Sequence, residues 1–132
     1  MRFLVPVCAF VLSSCASSNP EHRAAEGALG PYSASVTTAT TCYVSGQIAP
    51  NPDFAKEAEG ALRKVERELN RCGLGLGDVT SATVFLTDIA LYRAFNDVYA
   101  RVMPSPYPAR TCVAVSALPG GARVEIQMVA AR

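Results

Sequence analysis

Residues 54–72 carry the most restrictive pattern in the chain. Phe54, Ala58, Ala61, Leu62, Val65, Leu69 and Cys72 recur at steps of three and four, while Lys56, Glu59, Arg63, Lys64, Arg67 and Arg71 largely fill the rest. That spacing predicts an amphipathic helix with one buried stripe. Asn51-Pro52-Asp53 supplies a cap, a proline suited to the first helical position and an acid near the N-terminus, and Gly73 supplies the stop. A stripe this long must be buried against something, and the flanking segments name it. Tyr32 to Ile48 is rich in Val, Thr and Tyr around a small polar interruption, which predicts two short strands. Thr80–Thr87 alternates and predicts a central strand. Asp88 can cap a second helix with the stripe Leu91 or Tyr92, Phe95, Val98 or Tyr99 and Val102, which Pro104 ends. Its aromatic residues read as core.

The glycine-rich run Gly73–Val79 closes a helix and precedes a strand, the reverse of a phosphate loop, so it reads as a connection. Arg110–Ser116 and Arg123–Ala130 alternate, with Leu118-Pro119-Gly120-Gly121 between them as the turn of a hairpin. The order strand, strand, helix, strand, helix, strand, strand predicts an α+β domain, a single sheet with both helices on one face. In that hairpin Thr111, Val113, Val115, Val124, Ile126 and Met128 face the helices. Arg110, Cys112 and Ala114 share the opposite face with Glu125, Gln127 and Val129, and antiparallel pairing sets Cys112 against Glu125 and Arg110 against Gln127. Two readings of that face stand open. One is a solvated face with an ion pair worth under about 1 kcal/mol. The other is a site whose second wall comes from a neighbouring subunit.

The N-terminus is a different kind of segment. In residues 1–15 Arg2 precedes an apolar run from Phe3 to Leu12 and then small residues, the layout of a secretory signal too short to span a bilayer. Leu12-Ser13-Ser14-Cys15 is similar to a bacterial lipobox, which predicts a signal at 1–14, a lipidated Cys15, a flexible tether over 15–29 that includes a solvated His22, and a domain over 30–132. The expected location is the cell envelope, with contact to the membrane only through that lipid. The alternatives are an ordinary cleaved signal, or an upstream start that adds these residues to a cytoplasmic protein. Removing residues 1–14 takes Arg2 away and leaves 11 cations against 11 acids. That balance gives no field to attract nucleic acid. One histidine and no Cys-x-x-Cys argue against an ordinary zinc site or a histidine-based triad. Of Cys42, Cys72 and Cys112, two could pair in an oxidising compartment.

Six segments in order then point to one family. Gly30-Pro31-Tyr32-Ser33, Tyr43-Val44-Ser45-Gly46-Gln47-Ile48, Thr83-Val84-Phe85-Leu86-Thr87-Asp88, Phe95-Asn96-Asp97-Val98-Tyr99, Pro108-Ala109-Arg110-Thr111-Cys112 and Val124-Glu125-Ile126 resemble the Rid family of reactive-intermediate deaminases. The resemblance implies a chorismate-mutase-like fold, with a single mixed sheet and two helices on one face. It also implies a homotrimer with sites between subunits, no cofactor or metal, and hydrolysis of enamine or imine intermediates such as 2-aminoacrylate to 2-keto acids and ammonia. Carried over, Arg110 binds the substrate carboxylate through its guanidinium fork. Glu125 handles the water and the leaving amine, Cys112 shapes the pocket, and Tyr32, Ser45 and Asn96 line it. Ile48–Phe54 is shorter than in the usual member, and Gln127 stands where many members have a second acid. The competing expectation is a non-catalytic trimeric envelope protein that binds small carboxylates or a protein partner.

Overall fold

A computed structural model describes residues 19–132. The signal at 1–14, the lipidation at Cys15 and the first part of the tether lie outside the described residues. Asp53 caps α1 (Phe54–Arg71), its carboxylate accepting from Ala55 N at 2.9 Å and Lys56 N at 3.3 Å. Pro52 thus precedes the cap and does not occupy the first helical position. Beyond Cys72 the chain turns left-handed at Gly73 (φ 72°), with Leu74 N donating to Leu69 O and Gly73 N to Asn70 O. This is the Schellman arrangement that satisfies terminal carbonyls. Of the expected stripe, Ala58, Ala61, Leu62, Val65 and Leu69 are fully buried, Cys72 is buried and Phe54 is half-buried.

The strands are β1 (Glu21–Ala24), β2 (Ser33–Thr37), β3 (Thr41–Gln47), β4 (Val79–Leu86), β5 (Ala109–Ala114) and β6 (Val124–Ala131), and α2 covers Tyr92–Val102. Asp88 caps a short turn, Ile89–Leu91, that leads into α2. The sheet runs β1-β2-β3-β6-β4-β5, with β4 and β5 parallel and every other pair antiparallel. A single mixed sheet carrying α1 and α2 on one face is the expected class.

Two expectations are overturned. The stretch assigned to a tether contains β1, which pairs with β2 from Glu21↔Thr37 to Ala24↔Ser33, so the domain begins before residue 30 and His22 belongs to a strand. The terminal hairpin does not exist either. β6 lies between β3 and β4, and β5 joins the far edge of β4 in parallel after crossing through α2. Burial accounts for the difference, because Val124, Ile126, Met128 and Ala130 are completely enclosed, whereas no residue of β5 is fully buried. A strand that apolar belongs in the centre, and the more polar one can sit at an edge.

Insertion of β6 also reassigns the faces. Arg110 pairs beside Ala82 and Cys112 beside Val84, whose side chains lie under the helices. Thr111 and Val113 therefore share the open face with Thr83, Phe85, Glu125 and Gln127. The expected arrangement for β5 is inverted, while Val124, Ile126 and Met128 face the helices as anticipated.

Candidate functional site

The first cluster is built on α2 and the edge strand. Because Arg110 sits on the helix-bearing face, its side chain runs along α2. Its Nη2 donates to Asn96 Oδ1 at 2.7 Å and to Tyr92 OH at 3.3 Å. Its Cζ lies 4.6 Å from the Tyr99 ring centroid, 5.6 Å from that of Phe95 and 5.7 Å from that of Tyr92. Stacking and the one engaged nitrogen fix the guanidinium plane, while Nε and Nη1 have no acceptor among the described residues. Nη1 is the free end that can donate to a carboxylate, and the Nη1–Nη2 edge becomes a fork for it where the longer Tyr92 contact is given up. Cys112, two residues along β5, packs partly into the core. Burial raises its thiol pKa above the ordinary 9.0 and Arg110 offsets only part of that rise, so the thiol is protonated near neutrality. Tyr99 is raised in the same way, first by burial.

The second cluster lies on the opposite face. β6 places Glu125 beside Phe85 of β4. On its other side β3 is irregular between Val44 and Gln47, and Gly46 in that stretch sits directly under the Glu125 carboxylate. Any Cβ at residue 46 would collide with the acid. Ser45 Oγ donates to Ser33 O at 2.6 Å, tying β3 to the start of β2 just beyond Tyr32, and Gln47 Nε2 donates to Ser45 O at 3.1 Å. Tyr32, Ser45, Gly46, Ile48, Gly120 and Glu125 line a cleft of about 830 Å³.

The sequence-derived site residues thus fall into two groups. Arg110, Asn96 and Cys112 come together on one face; Tyr32, Ser45 and Glu125 come together on the other. The expectation that Cys112 lies opposite Glu125 and Arg110 opposite Gln127 is overturned, since β4 separates β5 from β6 by two strand spacings, about 10 Å. Within one protomer Arg110 and Glu125 project from opposite faces of the sheet. Sequence reasoning missed Gly46 as the residue that admits Glu125. It also took the α2 aromatics as core alone. Phe95 and Tyr99 are core, yet they and the more exposed Tyr92 stack on Arg110. The signal available was the helical spacing of Tyr92, Phe95, Asn96 and Tyr99, which puts rings and an amide on adjoining faces.

The fold has counterparts in known proteins. Residues 22–132 match the family model described as Endoribonuclease L-PSP. The human 2-iminobutanoate/2-iminopropanoate deaminase is 39% identical over 114 residues, which cover 80% of this chain and 83% of that protein. Among solved structures, RidA from an Antarctic Psychrobacter bacterium superposes with a TM-score of 0.77 at 33% identity, covering 80% of this chain and 91% of that one. E. coli TdcF with bound serine superposes with a TM-score of 0.76 at 32% identity, again over 80% and 91%.

Proposed function

The chain belongs to the Endoribonuclease L-PSP family, and on that premise we propose that it is a hydrolytic deaminase of enamine and imine intermediates of amino acids, of the 2-aminoacrylate type. The observation that carries the reading is the Arg110 guanidinium, fixed in plane by three rings and Asn96 with two donor nitrogens unspent. That group suits the carboxylate of a 2-imino acid. The relative named an imine deaminase and the serine-bound relative support the same substrate class.

Among the described residues, the Arg110 cluster holds no acid, and the Glu125 cleft, whose cations Lys64, Arg67 and Arg71 come from α1, holds no stacked guanidinium. We therefore place the working site between copies of the chain, with the Arg110 cluster of one protomer facing the Glu125 cleft of another, in the homotrimer that the family resemblance implies. The open sheet face supports association, because Tyr43 and Val113 are 47% and 40% exposed with Phe85 and Val129 beside them. In that site Arg110 holds the carboxylate while Glu125 takes a proton from water as its oxygen bonds to the imine carbon. Glu125 returns that proton to the imine nitrogen, which completes the carbinolamine. Glu125 then takes the hydroxyl proton and passes it to the amine as the C–N bond breaks and the C=O bond forms, and ammonia and the 2-keto acid leave. The net change is addition of one water and loss of one ammonia, with no redox step. One acid/base group contributes about 10²- to 10⁴-fold, which suits an imine that already hydrolyses unaided.

Ammonia release from imines generated by an amino-acid oxidase tests the reading. Turnover should be strong in the unaltered protein and lost in Glu125→Ala, with carboxylate binding retained. Absence of turnover across several imino acids would contradict it and favour a carboxylate-binding protein. For location we propose the cell envelope, reached through the signal at 1–14 and an anchor at Cys15. The bonded Cys42–Cys72 pair supports that reading, since such pairs persist in oxidising compartments. Cys15→Ser should release the protein from the membrane fraction; an unchanged distribution would remove the anchor.

A further inference from the structure

Away from both clusters, the most enclosed charged group in the described chain is Glu57, in the first turn of α1, with its side chain 1% exposed. Burying a carboxylate is costly unless its oxygens are paired, and here one residue supplies every partner. Arg123 donates its backbone N–H to Oε1 at 2.6 Å and its Nε to Oε2 at 2.8 Å. Its Nη2 lies 2.8 Å from Oε2 and also donates to Asn51 O at 2.7 Å. The Arg123 carbonyl accepts from Thr87 N, so its peptide is held from both sides.

This pair sits where three parts of the Glu125 cleft meet. Arg123 is two residues before Glu125 at the start of β6. The connection leading to it carries Gly120, which packs against Ile48 and lines the cleft. The segment after β3, which holds Ile48, ends at the Asn51 carbonyl that Arg123 binds. We propose that Glu57 is a positioning residue for the deaminase reaction: through Arg123 it fixes the start of β6 and the Ile48–Gly120 rim, and so sets where the Glu125 carboxylate points. This rests on the reading of Glu125 given above. Among the described residues, the Glu57 carboxylate has hydrogen bonds and an ion pair to Arg123 and none to the Arg110 cluster.

The test compares Glu57→Ala and Glu57→Gln in the full protein, well below its unfolding temperature, following turnover and amide hydrogen exchange together. Misplacing a reacting group by about 1 Å costs on the order of 100-fold. Glu57→Ala should therefore lower kcat by about 10- to 100-fold, with KM moving less than about threefold because Arg110 is untouched. Glu57→Gln keeps an acceptor for the Arg123 N–H and should recover most of that loss; if the alanine variant fails to fold, a glutamine variant about threefold down in kcat carries the same result. Unchanged kcat per folded molecule in Glu57→Ala, or in Glu57→Gln where the alanine variant does not fold, or a rise in KM equal to the fall in kcat, would overturn the proposal. If the unaltered protein turns over no imine, the deaminase reading fails by itself and Glu57 is judged on exchange. Faster exchange confined to residues 116–125 then supports the positioning of β6, and unchanged exchange there rejects it.

Discussion

Arg110 and Gly46 do their work through what surrounds them. Lysine at 110 would keep the charge but lose the planar fork and its stacking. Arg110→Lys should weaken carboxylate binding by about 10-fold or more, roughly 1.4 kcal/mol, with the fold intact; titration with a 2-keto acid beside a thermal melt checks it. At Gly46 the restriction is space. Gly46→Ala forces the Glu125 carboxylate or the irregular stretch of β3 to move, so turnover should fall while keto-acid binding through Arg110 persists. Cys112 gives a pH signature. Burial lifts its thiol above 9.0 and Arg110 pulls it part of the way back. Alkylation of Cys112 should accelerate only above about pH 9, and Arg110→Ala should move that midpoint higher still. A midpoint near neutrality would mean an activated thiolate and a different role for this residue.

Elements explain why some of the molecule could be read from sequence and some could not. The α1 stripe and its caps were legible because helical period, Asp53 and Gly73 are all local. Strand alternation is local as well, but it assigns faces and not neighbours. β5 and β6 have patterns that a hairpin and a crossover share, and the Pro-Gly-Gly turn favoured the hairpin. The contrary signal was length, since residues 117–122 between the two alternating runs exceed the two- to five-residue loops that join hairpin strands. β1 was illegible for another reason, because Glu-His-Arg-Ala holds its place by backbone pairing and shows no apolar alternation. The residues named for the site came from resemblance, and the geometry inferred for Arg110 and Glu125 inherited the hairpin error. At this scale the Cys42–Cys72 bond ties β3 to the end of α1 across a separation of 30 residues. Chain-entropy reasoning gives a loop of that length about 3–4 kcal/mol. Paired Cys42→Ala and Cys72→Ala changes should lower unfolding free energy by about that amount in denaturant titration, with turnover retained at low temperature.

For the whole molecule, the proposed site between copies draws on the open sheet face and on both clusters. Tyr43, Phe85, Val113 and Val129 lie on that face, and Val113→Asp should reduce assembly and turnover in parallel, as read by sedimentation beside ammonia release. The most direct test mixes two lesions. Arg110→Ala and Glu125→Ala subunits, each inactive alone, are unfolded together and refolded at equal ratio. If the site takes its guanidinium from one protomer and its carboxylate from the next, roughly a quarter of the sites regain both groups, and turnover returns to about that fraction of the unaltered protein. If both groups serve a site within one protomer, every site keeps one lesion and the mixture stays as inactive as its parents.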